Sequence, residues 1–288
     1  MNKKIHTMKI SVAICTYNRP EQLKRCVQSI IAQGEYLFEL IVVFHSKNDL
    51  REIKTLNKNQ RVRFLQCSKT NSSSARNRAI NNSKGTILAF IDDDCVANRH
   101  WLQRIIQQFE DRYCQIVMGK AINGSNLNIF SAIENARINY YTQSNMVTKK
   151  KKKYAHVLDT KNFAIRKSFL AKHNLIFDVR FTNKFEDVDF GFRVISTGAN
   201  ILCNPQILVR HFGTSDFLSH LKREFSIGYN YCTMKAKWAH RLNITIAKRL
   251  HSTNTNIIPP PISHILLVWT DTLFRLLGWL RYGFERHP

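Results

Sequence analysis

The chain has 288 residues, of which 44% are hydrophobic, so it is long enough to bury a large core and its composition excludes a disordered protein. The 44 Lys and Arg residues outnumber the 20 Asp and Glu residues, and the formal charge of +24 favours phosphate-rich partners or an anionic membrane surface. Seven cysteines without a C-x-x-C pair exclude a disulfide framework and a zinc site, which is typical of a reducing cytoplasm.

The first part of the chain alternates between strand and helix patterns. Its N-terminal segment is basic and leads into a strand rather than into a signal-peptide core, so we expect no export signal. The predicted elements are strand 10–15, a helix beginning at Pro20, strand 40–44, a helix near 48–57, strand 62–65, helix 73–82, strand 86–91, a helix containing Trp101 and Phe109, and strand 115–118. This alternation predicts a doubly wound, mostly parallel sheet with helices on both faces, over roughly 8–120.

One strand of this series ends in three consecutive carboxylates. The apolar run 86–91 is typical of a strand buried on both faces, and Asp92, Asp93 and Asp94 follow it directly. Ligands of open α/β sheets bind outside the carboxyl ends of strands, and three adjacent carboxylates favour a divalent cation with oxygen ligands. The alternative is an acidic loop that caps the helix beginning near Asn98.

The pattern becomes less regular after residue 120. We predict a helix over 127–141, and we expect the five lysines at 149–153 to form a solvated loop. The elements predicted next are strand 160–166, helix 167–173, helix 186–197, and two short strands at 201–203 and 206–209.

The C-terminal part differs in composition. Residues 219–250 contain seven Lys or Arg against one Glu, interleaved with aromatic residues. Residues 262–282 place apolar side chains on one stripe of a predicted helix, whose charges and length argue against a lipid-crossing segment. This helix either packs on the protein or lies in a membrane interface, and the overall charge favours the interface. We therefore predict a domain over 1–215 and a basic helical extension over 216–288.

Several short motifs, in this order, resemble family 2 glycosyltransferases of the GT-A fold. The resemblance covers about 10–212 and is closest to enzymes of bacterial surface glycans. The motifs are Ser11-Val-Ala-Ile-Cys-Thr-Tyr-Asn18, Val42-Val43, Ser74-Ala-Arg-Asn77, Phe90-Ile-Asp-Asp-Asp94, Trp101-Leu102, Asn162-Phe-Ala-Ile-Arg166, Phe185-Glu-Asp-Val-Asp-Phe190 and Arg210-His211.

The resemblance implies a hexosyltransferase-like enzyme that moves a sugar, with inversion, from a nucleotide-sugar donor to a glycan or lipid-linked acceptor. Mn²⁺ or Mg²⁺ would stabilise the leaving diphosphate. Asp94 is then the principal metal ligand, Asp92 its partner toward water or ribose, and His211 a third ligand. Asp93 would face the nucleotide sugar. The other residues implied in donor binding are Thr16, Asn18, Arg19, Arg76 and Asn77.

The reaction also needs a base that takes the proton of the acceptor hydroxyl. The resemblance assigns this role to Asp187, with Glu186 orienting the acceptor and Asn162 in the acceptor site. The alternative is that these acids stabilise the first turn of a helix, a role that we assign to Asp189. Many relatives carry Asp-Asp after the second strand, whereas this chain has Phe44-His45-Ser46, which leaves the donor base and sugar open.

Two other functions compete with this interpretation. A nucleic-acid-binding protein would explain the charge and the basic, aromatic segment, but it leaves the acids at 92–94 and 186–187 unexplained, so we expect no nucleic-acid partner. A metal-dependent nucleotidyltransferase would use the same fold and metal. We expect a cytoplasmic enzyme on the inner face of the cell membrane, bound to its anionic surface.

Overall fold

The computed structural model describes residues 8–46, 48, 50, 60–69, 71–124, 146–149, 152–181, 184–213, 216–251, 273, 275–277, 280 and 281. The predicted helix near 48–57 lies outside these residues except at 48 and 50, and the predicted helix 127–141 lies entirely outside them. Of the predicted helix 262–282, only six residues are described, and these six are helical.

The described residues form ten strands and six α-helices. The strands are β1 (Ile10–Thr16), β2 (Glu39–Phe44), β3 (Val62–Gln66), β4 (Ile87–Ile91), β5 (Cys95–Ala97), β6 (Ile116–Asn123), β7 (Met146–Lys149), β8 (Lys152–Ala155), β9 (Asn162–Arg166) and β10 (Ile201–His211). The helices are α1 (Pro20–Ile31), α2 (Ser72–Asn82), α3 (Trp101–Phe109), α4 (Lys167–Lys172), α5 (Glu186–Ser196) and α6 (Phe217–His251).

The strands form one sheet in the order β3-β2-β1-β4-β9-β6-β10-β8-β7, with β5 paired to β10. β1 is parallel to β2 and β4, β2 is parallel to β3, and β6 is parallel to β10. β9 runs antiparallel to both β4 and β6, so those two strands share one direction across it. Six of the strands therefore point the same way, which confirms the predicted doubly wound, mostly parallel fold.

The central strands of the sheet are buried on both faces. Along β4, Ile87, Ala89 and Ile91 belong to one apolar cluster, which also contains Leu23 of α1 and Trp101 of α3. Leu88 and Phe90 belong to a second cluster with α2 and α5. Because successive side chains of a strand point to opposite faces, a strand between two helical layers must be apolar throughout. β4 therefore ends at Ile91, one residue before the three carboxylates.

Two predictions about local structure are wrong. The predicted strands 201–203 and 206–209 are one strand, β10, whose register on β6 shifts between Cys203 and Leu208. Pro205, which lacks a backbone N–H, falls inside this irregularity, where a strand can tolerate it. The lysine run is not simply a loop, since Lys149 ends β7 and pairs with Lys152 at the start of β8.

The chain divides into two compact units. The first comprises Met1–Val179 and Glu186–Gly213, and the second comprises Arg180–Phe185 and Thr214–Pro288. In the second unit, the fully buried Glu224 of α6 forms ion pairs with Arg275 at 2.6 Å and Arg223 at 3.4 Å. Among the described residues, no helix is long and apolar enough to span a bilayer.

Candidate functional site

The predicted acids lie where the strand order reverses. β1 has β2 on one side and β4 on the other, and ligands of such sheets bind at the carboxyl ends of strands beside this point. Thr16 ends β1, and its hydroxyl donates a hydrogen bond of 2.8 Å to Asp93 Oδ2 just after β4. The two strand ends therefore bring the first motif and the aspartate triplet together.

Asp93 is the inward-facing member of the triplet. Its carboxylate is buried and accepts hydrogen bonds from Thr16 and from Arg19 Nη1, the latter at 3.2 Å. Burial, followed by the neighbouring Asp94 carboxylate, raises the pKa of Asp93 to about 7. The side chain thus holds the acidic loop on β1, and its expected contact with the nucleotide sugar stays a prediction.

Asp94 lies beside His211 because of the strand pairing. His211 is opposite Cys95 in the antiparallel β5–β10 ladder, and the N–H of Phe212 donates to the carbonyl of Asp94 at 2.9 Å. Asp94 Oδ1 is 3.5 Å from His211 Nε2, and Asp94 Oδ2 accepts a 2.8 Å hydrogen bond from Arg19. Burial alone would raise the pKa of Asp94, but His211 and Arg19 hold it well below its usual range.

This pair has the right chemistry for a divalent cation. A carboxylate oxygen and an imidazole nitrogen are ligands that Mn²⁺ accepts, and backbone pairing fixes both side chains at the sheet edge. Asp92, the third predicted ligand, instead accepts a 3.2 Å hydrogen bond from Arg76, although its side chain is 32% exposed. Within the described ranges, no three His, Cys, Asp or Glu side chains are grouped to hold a metal ion. Asp94 and His211 are thus the two adjacent side chains that could hold such an ion there.

Arg76 connects the aspartates to the second acidic motif. It projects from the first turns of α2, whose start is capped by Asn71, a side chain that accepts a 2.7 Å hydrogen bond from the backbone N–H of Ser74. The guanidinium group is buried and donates to Glu186 Oε1 at 2.8 Å as well as to Asp92. Arg76, expected in donor binding, is thus bonded to one carboxylate from each acidic motif.

Glu186 and Asp187 begin α5, directly after Phe185, whose φ of 66° is uncommon for a bulky residue. Glu186 is buried against Arg76, whereas Asp187 is only partly buried. Burial, followed by the carboxylates of Glu186 and Asp159, raises the pKa of Asp187 to about 7. A carboxylate with this pKa can accept a proton near neutral pH, as a general base must.

Asp189 has a different position on the same helix. It is fully buried and forms an ion pair of 2.9 Å with Arg193, one turn further along. This pairing is internal to α5, in line with the structural role expected for Asp189. The three acids of the first turn therefore differ in their surroundings. Glu186 is bonded to Arg76, Asp189 is bonded to Arg193, and Asp187 is partly buried.

Three predicted site residues lie apart from this cluster. Asn18 is exposed, with a left-handed φ of 54° at the end of β1. Asn77 exchanges hydrogen bonds of 2.8 and 2.7 Å with the backbone of Phe177. Asn162 is 1% exposed, accepts from Trp101 Nε1 at 2.8 Å and donates to two backbone carbonyls, those of Lys120 and Ile207. The amides of Asn77 and Asn162 are used by the fold, so donor and acceptor contacts there stay predictions.

Sequence reasoning missed several residues of the cluster. Lys161 Nζ lies 2.7 Å from Asp159 Oδ1, and no sequence signal marks this pair because it depends on how β9 joins the sheet. His45, noted only as a departure from the family pattern, has its ring nitrogens 3.0 Å from the carbonyl of Thr16 and 2.6 Å from that of Lys69. It therefore ties together the loops that follow β1 and β3.

Comparison with known proteins identifies related sequences. Residues 11–173, more than half of the chain, match the family described as glycosyl transferase family 2. Glycosyltransferase AglE of Haloferax volcanii is 27% identical over 233 residues, which cover 76% of this chain and 71% of AglE. Succinoglycan biosynthesis protein ExoM of Rhizobium meliloti is 30% identical over 120 residues, which cover 39% of this chain and 38% of ExoM.

Solved structures share the fold at low sequence identity. The mannosyltransferase PcManGT from Pyrobaculum calidifontis, in complex with GDP-Man and Mn²⁺, aligns with a TM-score of 0.65 and 12% identity over 97% of this chain and 88% of that one. TarS of S. aureus aligns with a TM-score of 0.56 and 16% identity over 77% of this chain, which spans only 39% of TarS. At these identities the likeness shows the fold alone.

Proposed function

The chain belongs to glycosyl transferase family 2, and we propose that this glycosyltransferase moves a sugar, with inversion, from a nucleotide-sugar donor to a glycan or lipid-linked acceptor in surface polysaccharide biosynthesis. The observation that carries the proposal is that Arg76 joins Asp92, at the end of β4, to Glu186, at the start of α5. Asp187, the predicted base, is the neighbour of Glu186. The strand-end acids and the predicted base thus form one cluster.

A divalent cation, Mn²⁺ or Mg²⁺, is proposed at Asp94 and His211, where it would neutralise charge that develops on the leaving diphosphate. The support from this chain is the adjacent carboxylate oxygen and imidazole nitrogen. The mannosyltransferase PcManGT, which shares the fold, was solved with Mn²⁺ and GDP-Man. We propose that Asp92 completes the site from its partly exposed position.

Asp187 is proposed to take the proton of the acceptor hydroxyl as that oxygen attacks the sugar. Its pKa of about 7 makes it a stronger base than an ordinary aspartate, while a large fraction stays ionised at neutral pH. Glu186, held by Arg76 and by Ser72 at 3.1 Å, is suited to orient the acceptor rather than to exchange protons. The two acids thereby take separate roles.

The location and the acceptor are proposed from charge. A protein of +24 is attracted to an anionic membrane surface, and a phosphate-containing lipid-linked acceptor would suit the same charge. We propose a peripheral enzyme on the inner face of the cell membrane. The succinoglycan role in the name of ExoM supports a polysaccharide product.

Isothermal titration of nucleotide sugars, with and without Mn²⁺, tests the central proposal. We expect binding of a diphosphate sugar that depends on the metal, and a donor screen that detects released nucleoside diphosphate then identifies the base and sugar. Preference for a nucleoside triphosphate, or salt-sensitive binding of DNA or RNA without sugar-nucleotide binding, would contradict it. Recovery in the membrane fraction at low salt and release at high salt would support the proposed location, because charge is what holds the protein there, whereas recovery in the soluble fraction at both low and high salt counts against it.

A further inference from the structure

The described residues near the C-terminus expose a row of leucines. Residues 273, 275–277, 280 and 281 are helical. Leu273, Leu276, Leu277 and Leu280 are between 42% and 52% exposed, which is unusual for four large apolar side chains in so short a segment. Because residues three, four and seven positions apart lie on one face of an α-helix, these four side chains form a single apolar surface, which we name the leucine stripe.

Another face of the same helix is held by α6. Glu224 of α6 is fully buried and accepts hydrogen bonds from Arg275 Nε and Nη2, both at 2.6 Å. One turn further along α6, a Cβ atom added to Gly228 would clash with the backbone carbonyl of Arg275. Glu224 and Gly228 lie on one face of α6, so the two helices pack closely at Arg275.

Helix geometry separates this contact from the leucine stripe. Leu273 and Leu277 are each two residues from Arg275, which places them about 200° around a helix of 3.6 residues per turn. The leucine stripe therefore points away from α6, in agreement with its exposure. Packing on the protein and contact with a membrane, which the sequence left as alternatives for this helix, thus use different faces.

The charge of this part of the chain indicates what the leucine stripe contacts. Residues 214–288 contain ten Lys or Arg and four Asp or Glu, and the whole chain carries +24. A second copy of the chain has the same excess of positive charge and would be repelled, whereas a bilayer with anionic headgroups would be attracted. A helix with leucines on one face suits the boundary between lipid headgroups and acyl chains.

We propose that the leucine stripe is the surface through which this protein binds an anionic lipid bilayer, while α6 holds the face of the helix that carries Arg275. The inference rests on the membrane location in the proposed function, and it assigns the surface responsible. Charge and leucines act together, because one weak membrane signal gives only marginal, reversible binding. Binding should therefore fall when salt screens the charge and also when the leucines are replaced.

Co-sedimentation of the full-length protein with vesicles of phosphatidylglycerol and phosphatidylcholine, without donor or metal, tests the proposal. Leu276→Gln/Leu277→Gln should weaken partitioning to these vesicles by at least about tenfold, because two leucines no longer bury their exposed surface in lipid. Leu273→Gln/Leu280→Gln should have the same effect and serves if the first variant does not fold. Circular dichroism checks the folding of each variant.

Ile176→Gln/Val179→Gln is the matched control. Both residues lie in the first compact unit, and they are 47% and 46% exposed, like the leucines. We expect the control to bind vesicles within about twofold of the wild type, as is usual for surface substitutions. An equal loss in the control, a wild type that does not bind the vesicles, or equally tight binding to phosphatidylcholine alone would overturn the proposal.

Two further measurements separate the proposal from its alternatives. Sedimentation velocity without lipid should give the same result for the wild type and for Leu276→Gln/Leu277→Gln, and a wild-type dimer that this variant dissociates would instead assign the leucine stripe to a second copy. Calorimetry with nucleotide sugars tests the enzyme separately. Metal-dependent nucleotide-sugar binding without vesicle binding would overturn the leucine surface alone. Vesicle binding that depends on the leucines, without nucleotide-sugar binding, would uphold the surface and count against the proposed function.

Discussion

Replacement of Arg76 by Met gives the sharpest test of how the site is assembled. The side chains of Arg76 and Glu186 are each 7% exposed and are joined by a 2.8 Å ion pair. Removing one partner of such a pair leaves a buried, uncompensated charge, which costs roughly 3–5 kcal/mol in free energy of unfolding. The second contact, to Asp92, adds less because that carboxylate is 32% exposed and is screened by water.

Thermal unfolding followed by circular dichroism measures this cost. A loss of that size lowers the midpoint by roughly 10 °C in a unit of about this length. The deficit should shrink as the pH falls, because proton uptake neutralises the stranded carboxylate in the folded state. The double variant Arg76→Met/Glu186→Gln should recover a large part of the loss, since no charge then remains at position 186.

Arg78→Met is the matched control, because Arg78 lies on the same helix and is exposed. We expect this control to change the free energy of unfolding by no more than about 0.5 kcal/mol. If Arg76→Met were as stable as Arg78→Met, the argument that Arg76 fixes the acidic cluster would be refuted.

Four further predictions concern the reaction and the sheet. Because burial and nearby carboxylates raise the pKa of Asp187 to about 7, and the base must be ionised, kcat/KM for release of nucleoside diphosphate should rise with pH through about 7. Asp187→Asn should abolish turnover while titration calorimetry still detects donor binding, and near-full activity in this variant would rule out the base assignment. Asp94→Ala should weaken Mn²⁺-dependent donor binding by at least about tenfold, a loss of roughly 1.4 kcal/mol in binding free energy. If the variant bound the donor as tightly as the wild type does, the proposed metal site would be wrong. Asn162→Ala should leave three buried polar groups without their partner, the Trp101 Nε1–H and the carbonyls of Lys120 and Ile207. Each such group should lower the free energy of unfolding by about 1–3 kcal/mol. A melting midpoint equal to that of the wild type would contradict this account.

The sequence allowed the parallel part of the fold to be predicted because burial leaves a periodic signature. Strands such as β2 and β4, covered on both faces, are continuous apolar runs, and α1 and α3 present regular apolar stripes. The sequence carries no comparable signature of which strands pair with one another. The insertion of β9 between β4 and β6 is set by long-range contacts such as the stacking of Phe90 on Phe163 at 4.9 Å.

The candidate site could likewise be predicted only in part. The aspartates at 92–94 could be predicted as a site because they end a recognisable strand. The ion pairs of Arg19 with Asp93 and Asp94 could not, since they depend on how the residue before α1 meets the end of β4. Asn162 shows a second limit, because nothing in its motif indicates that its amide bonds within the sheet.

The charge distribution explains how a strongly basic chain can keep so many carboxylates at one edge. Arg76 and Lys161 have side chains at most 12% exposed and hold Glu186 and Asp159 through short ion pairs, so their charges are fixed parts of the cluster. Arg19 differs, because its side chain is 49% exposed while it contacts both Asp93 and Asp94. The two carboxylates are only 7% and 13% exposed, so each needs an opposite charge beside it. In the proposed function, a divalent cation at Asp94 would supply this charge and Arg19 would move toward solvent, while Arg76 and Lys161 keep Glu186 and Asp159 in place.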